Sequence, residues 1–428
     1  MMTVYTLDEI IEITNGGSWT EAEYSDSEKD IYVVKVTNMV NGSIAETSND
    51  SYLPESLFNK YKNHQLKFGD VCIATVGSHP SQQGSVVGRT IKVQDIYSGS
   101  FLNQNAAILR PKDGNILSNN FFYYLTKTIF FKHHVESRAR GSANQVRMAI
   151  GELKKFSFNY PDIQTQKKVA AVLSAYDDLI EKNKKRIQIL ENMAEELYKE
   201  WFVRFRFPNW ENTEFEKGVP RDWVEQTVND SFAVLGGGTP SKEVDEYWVD
   251  GEINWYTPSD LTRQDSLFIE NSELKCNETG LNKSSAKLFP PYSIMMTSRA
   301  TIGVLSINTT EACTNQGFIT CIPNKEFPLT YLYFWLKFAK PYLEILASGA
   351  TFAELSRGNF KKVKLFKPND LLVESFENQC RPIFDEVLTL QKQNRLLGEQ
   401  KDSLLPRLIS GKLSVENLDI QFPPSMQE

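Results

Sequence analysis

Several kinds of chemistry are missing from this chain. Its five cysteines, Cys72, Cys276, Cys313, Cys321 and Cys380, form no CxxC pair and no regular spacing, which argues against a disulfide framework and for a reducing cytoplasm. The four histidines, His64, His79, His133 and His134, lack the spacing of a zinc site, so no metal ligand is expected. No apolar run reaches the roughly 18 residues of a membrane helix. The N-terminus MMTVYTLDEI has no basic flank followed by an apolar stretch, so no secretion signal is expected. No GxxxxGK[ST] loop is present to cradle ATP, and Gly236-Gly237-Gly238 lacks the strand-to-helix setting of a dinucleotide loop. Glu152-x-Lys154, Glu273-x-Lys275 and Glu399-x-Lys401 stand alone, without the second carboxylate of a metal-dependent nuclease. No catalytic residue is assigned.

Positive charge is also scarce in total, with a net charge of −7 over 428 residues. It is concentrated, however. Residues 121–160 hold seven Lys/Arg against two Glu, and residues 261–368 hold thirteen against eight Asp/Glu. Residues 209–260 carry twelve acidic and three basic residues. Two basic stretches at matching places can meet phosphates even on an acidic chain, because the local field decides. Solvated faces are the plainer reading from charge alone.

What the chain does have is repetition. Apolar residues recur in alternating steps of four and three at Val169, Leu173, Tyr176, Ile180, Ile187, Leu190, Ala194, Leu197 and Trp201, with Asn183 in the gap. The ladder returns 207 residues later at Phe376, Cys380, Ile383, Val387, Leu390, Leu397, Leu404 and Leu408, with Asn394 and Lys401 at its polar steps. A sustained 3.5-residue period predicts coiled-coil helices rather than helices lying on a core. Asp162 and Asn369 are the expected N-caps, Pro208 the stop of the first helix and Gly411 that of the second. Antiparallel pairing sets Val169 against Leu408 and Trp201 against Phe376, and the same register sets Asn183 opposite Asn394. That polar layer would fix the register.

The repeat extends to the blocks before each helix. Leu7–Ser18 matches Val228–Thr239, with Gly16-Gly17 over Gly237-Gly238. Phe101–Pro111 matches Ala312–Pro323 through Asn103-Gln104 and Asn315-Gln316, and Leu153–Pro161 matches Phe360–Pro368. Each block reads as short strands, one aromatic-rich helix (NNFFYYLTKTIFFKHHV or TYLYFWLKFAKPYLEIL) and a polar loop. The expected fold class is α+β: two mixed α/β domains in tandem pseudo-two-fold repeat, separated by two long helices forming an antiparallel coiled coil. The boundaries are 1–161 for the first domain, 162–208 for the first spacer helix, 209–368 for the second domain with a lead-in linker at 209–222, 369–415 for the second spacer helix, and 416–428 for the tail.

FPPYS at Phe289–Ser293 resembles the NPPY motif of amino-methyltransferases, but Phe289 stands where a polar side chain must bond the target amine, and no methyl-donor loop precedes it. A stand-alone methyltransferase with degenerate motifs is therefore a weaker alternative, and a duplicated protein-binding adaptor is another. The layout as a whole resembles the specificity (S) subunit of type I restriction–modification enzymes. The most telling stretches are Pro161–Phe202, Gln391–Leu413, the GGTPS at Gly237–Ser241 and the SRATIG at Ser298–Gly303.

The resemblance implies that each block is a target recognition domain reading one half of a bipartite, asymmetric site in double-stranded DNA. It implies that the helices set the half-site spacing and dock two methyltransferase (M) subunits, with two motor-nuclease (R) subunits joining them. Adenine-N6 methylation, S-adenosylmethionine, ATP and Mg²⁺ then belong to the partners, and this chain is a non-catalytic cytoplasmic subunit without membrane contact. Phosphate contacts are expected at Arg138, Arg140, Arg147, Arg299 and Arg357, and at Lys154-Lys155 and Lys361-Lys362, which recur at equivalent places. Base contacts are expected from Ser78, His79, Gln82 and Gln83 in the first block and Tyr256, Ser259 and Asp260 in the second.

Overall fold

In the computed structural model, residues 3–78, 85–142, 145–264, 266–299, 301–347, 353–423 and 426 are described. They form two compact units. The first joins Met1–Ile180 with Leu396–Glu428, and the second is Glu181–Arg395. Each unit therefore holds one block and a portion of both long helices.

The first unit is built on a four-stranded antiparallel sheet in the order Ile11–Asn15, Ala106–Pro111, Val71–Ala74, Thr90–Lys92. Ile31–Val34 sits between Phe101–Leu102, which it meets in parallel, and Tyr52–Leu53 in a smaller sheet. Thr3–Thr6 and Ser157–Tyr160 close the block as an antiparallel pair. The second unit repeats this plan. Ala233–Gly236, Phe318–Ile322, Ile294–Thr297 and Leu305–Asn308 follow the same order, extended by Phe268–Ile269. Ile253–Tyr256 lies parallel to Ala312–Thr314, and Val224–Thr227 pairs with Lys364–Lys367. The duplication seen in the residues is thus a duplication of topology.

The shared glycine pair has a steric reason. A Cβ on Gly16 would lie 2.1 Å from the Asn103 carbonyl oxygen, and one on Gly237 1.8 Å from that of Asn315. The backbone crosses the Asn-Gln turn too closely for any side chain. Gly17 N–H donates to the Leu102 carbonyl and Gly238 N–H to that of Thr314.

The aromatic helices differ between copies. In the first, Asn119–Lys127 and Ile129–Arg138 are separate helices. Thr128 is extended at the break, and its hydroxyl caps the second helix at Phe131 N–H. In the second, Leu329–Leu346 is one helix with Pro341 inside it.

The long helices are Ile163–Tyr198, continued by a π-helical turn at Lys199–Val203, and Asp370–Ile409. Asp162 caps the first by accepting from Gln164 and Thr165 N–H. The first helix stops short of Pro208, since Phe205 has turned to φ 56°. Gly411, at φ 73°, follows the second as a left-handed cap.

Within the first unit Val169 and Leu173 share a buried cluster with Leu405, Leu408 and Ile409, and Lys401 pairs with Asp177 at 2.6 Å. Within the second, Trp201 and Phe376 rings lie 5.9 Å apart and Arg186 meets Glu386 at 2.8 Å. Both sets of contacts are antiparallel and follow the ladder's register. The amide pair expected at its polar layer does not form. Asn394 Oδ1 is buried without a hydrogen-bond partner, as is Gln391 Oε1 one turn earlier. Both residues instead line a cavity of about 560 Å³ beside Lys184, Ile187 and Gln188.

Candidate nucleic-acid interface

In the first unit the segment expected as a polar loop is a hairpin. Arg140–Ser142 pairs with Gln145–Arg147, which in turn pairs with Val76–Gly77. Arg140 stands directly opposite Arg147, and both are exposed. Like charges directly across a ladder repel, so this pairing costs stability and leaves two guanidinium groups side by side on the surface. Among the described residues, the Arg140 guanidinium donates to the Ser137 and Ala139 carbonyls alone. Val76 pairs with Arg147, and Ser78, where a base contact is expected, follows two residues further along the chain. His79, Gln82 and Gln83 lie outside the described residues.

Arg138 ends its helix 3.7 Å from the Glu152 carboxylate. Lys154 and Lys155 are engaged as well, with Asp8 at 2.8 Å and Glu152 at 2.6 Å. Hydrogen bonds from these lysines hold both carboxyls below their ordinary pKa. Exposed pairs of this kind contribute little to stability, so a phosphate can exchange for either acid.

In the second unit two expected base contacts are structural. Tyr256 is fully buried, and its hydroxyl donates to the Ile269 carbonyl at 3.4 Å. Asp260 is buried and saturated. Its carboxylate accepts from Thr257 N–H and hydroxyl at 2.7 Å each and from Glu273 N–H at 2.9 Å. It caps the helix Pro258–Gln264 and cannot turn to a base without releasing it. Ser259, on the same helix, is exposed. Arg299 is neutralised by Glu354 at 2.8 Å. Arg357 opens the helix Arg357–Lys361 and lies along Gly236, where a Cβ would sit 3.1 Å from its Nη1. Lys361 is half-buried and Lys362 exposed at that helix's end.

The structure also presents groups that sequence reasoning did not single out as a site. Thr239 hydroxyl donates to Gln316 Oε1 at 2.6 Å, on the exposed rim of the glycine and Asn-Gln crossing. The recurrence of Gln104 and Gln316 in the two copies was the signal for it. Among the described residues no group of three or more His, Cys, Asp or Glu could hold a metal ion, and no helix is long and apolar enough to cross a membrane.

The family model for the type I restriction modification DNA specificity domain matches residues 1–192 and again 220–370. The chain is 29% identical over 329 residues to the MjaIX type I restriction enzyme specificity subunit of Methanocaldococcus jannaschii, covering 74% of this chain and 73% of that one. It is 26% identical over 392 residues to the HindI specificity subunit of Haemophilus influenzae, covering 76% and 84%. A crystal structure of the type I system S subunit from M. genitalium superposes with a TM-score of 0.60 at 16% identity, over 95% of this chain and 96% of that one.

Proposed function

Because the chain belongs to the family of type I restriction–modification DNA specificity domains, of which it carries two copies, we propose that it is the sequence-reading subunit of such a complex, each block reading one half of a bipartite site. The observation that carries this reading is the repeated framework: two blocks of the same strand order, each seating a glycine pair on an Asn-Gln turn. Continuous helices of 36 and 40 residues follow the blocks. Two half-sites of DNA must match their reader in distance and phase, which helices can supply and a flexible linker cannot.

The remaining parts of the assembly follow from this reading. Within the second unit, Ile189 and Met193 are exposed on the first long helix, an apolar surface for partner helices. Two M subunits dock there and methylate adenine N6, and two R subunits join them to cleave. S-adenosylmethionine, ATP and Mg²⁺ act on those partners, and this chain contributes recognition rather than catalysis. Sequencing of N6-methyladenine in a host carrying this chain with its M subunit tests the reading. A split motif with a fixed unspecified gap is expected, and unsplit or absent methylation counts against it.

The cross-strand arginines supply a second measurement. Replacing Arg140 and Arg147 together with Ala should weaken duplex binding by the S–M complex for all sequences alike. The slope of log affinity against log salt should fall by about 1 to 2, as for the loss of one or two phosphate contacts. An unchanged slope would remove the hairpin from the DNA contact.

A further inference from the structure

The two copies differ sharply at one place. In the first unit Arg89, Lys127, Lys132 and Lys401 line a cavity of about 640 Å³, together with Tyr123 and Asp177. In the second, Tyr333 and Phe334 occupy the positions of Tyr123 and Tyr124, and Phe384 that of Asp177. There only about 20 Å³ remains. The lysines differ in the same way. Lys337, equivalent to Lys127, is neutralised by Glu195 at 2.6 Å. The residue equivalent to Glu195 is Asp402, which lines the first cavity, yet Lys127 makes no ion pair with it. The Lys127 ammonium instead donates to the Thr90 carbonyl and lies 4.8 Å from the centre of the Tyr123 ring. Of the two acids present, Asp177 is taken up by Lys401 at 2.6 Å and by the Tyr124 hydroxyl at 2.6 Å.

From this asymmetry we infer that the cavity of the first block is a binding site for a doubly charged oxyanion, the phosphate group of a small ligand or of nucleic acid, with Lys127 at its floor and Lys132 at its rim. Arg89 is held by the Met39 and Ser85 carbonyls, and even without it three lysines line the cavity against Asp177 and Asp402. An ammonium held among other cations and away from water is stabilised by an anion in its reach. Burial pushes Lys127 down to about 7, and Lys132, Lys401 and Arg89 push the same way while Asp177 opposes them. The second block shows what the fold does without such a ligand: it fills the space with aromatic rings and pairs the lysine internally.

The probe is inorganic sulfate, whose charge is constant near neutral pH, titrated calorimetrically into the full chain with its M subunit. One sulfate is expected per chain. Lys127→Met should abolish binding, Lys132→Ala should weaken it three- to tenfold, and Lys337→Met should leave it unchanged. Lys132 is exposed, so its variant tests the site even where Lys127→Met folds poorly. Lys127 is below its ordinary pKa, so binding must bring a proton above pH 7. Sulfate affinity should then fall toward tenfold per pH unit from 7 to 8.5. Over that range Tyr123 and Tyr124 stay neutral because burial raises them. Absence of stoichiometric sulfate binding, or binding that survives Lys127→Met and Lys132→Ala, overturns the site. Inorganic phosphate and a random-sequence duplex then identify the source: displacement of sulfate by the duplex assigns the site to nucleic-acid phosphate, and displacement by phosphate alone assigns it to a free ligand.

Discussion

Inserting one heptad between Ile180 and Glu181 and another between Arg395 and Leu396 is expected to lengthen the gap in the methylated motif by about 3 base pairs, or to reduce methylation at least about a hundredfold. Seven residues add about 10.5 Å of helix, close to three base pairs at about 3.4 Å each. A heptad returns side chains to nearly the same helix face, drifting by about 20°. Three base pairs rotate DNA by about 100°, at roughly 10–10.5 per turn. The half-sites advance without their readers turning equally, so DNA must twist or one block must release it. Losing one block's contacts forfeits much of the roughly 4–10 kcal/mol that separates specific from non-specific binding. The insertion points fall between the compact units in both helices. Matched insertion spares the contacts inside each unit, such as Trp201 on Phe376 and Lys401 on Asp177. Mapping N6-methyladenine reads the gap directly. An unaltered gap at full methylation would mean that the helices do not measure it.

The parts legible in the sequence are those fixed by local period or by repetition. The heptad ladder gave both long helices and their antiparallel register, because burial on one stripe leaves a 3.5-residue trace. The glycine pair and the Asn-Gln turn were visible because both copies need the same close crossing. Asp260 was misread as a base contact although the chain carried the correction: Thr257-x-x-Asp260 is the spacing of a capping box. Tyr256 ends the strand Ile253–Tyr256, and its burial depends on Ile269 and the sheet around it. The Arg140–Arg147 hairpin looked like a loop because its third strand, Val76–Gly77, lies far away in sequence. The cation-lined cavity needs Asp177 and Lys401, which meet only after the helices pair. The Asn183 and Asn394 layer failed differently, since a polar rung in a ladder does not say what its side chain finds.

Gly237→Ala is expected to cost about 3 kcal/mol or more and to damage the second block alone. Its Cβ would fall 1.8 Å from the Asn315 carbonyl oxygen, 2.5 Å from the Asn315 carbonyl carbon and 2.5 Å from the Thr314 oxygen. These are backbone atoms, so no side chain can swing aside. Each neighbour is also held. Gly238 N–H donates to Thr314, Asn315 N–H to Tyr256, and the buried Trp255 indole to the Gly238 carbonyl at 2.9 Å. Relief of the clash must break at least one of these, leaving a buried polar group unpaired at about 1–3 kcal/mol and displacing the core beneath Trp255. Thermal melting should show a drop of about 6–12 °C in the transition of the second unit, at roughly 2–4 °C per kcal/mol for a unit of its size. Gly114→Ala is the control, because a Cβ there meets nothing within 4 Å. Gly16→Ala should reproduce the defect in the first block, with the Asn103 carbonyl 2.1 Å away. Hydrogen exchange distinguishes damage from global unfolding: protection should fall around 312–316 in Gly237→Ala and around 102–106 in Gly16→Ala. A cost below about 1 kcal/mol in both would mean that the Asn-Gln turn can slide, and that the repeated glycines serve something other than the crossing. With the crossing intact, the Thr239 hydroxyl keeps its bond to Gln316 on the rim; with it broken, methylation should lose the half of the motif that this block is proposed to read.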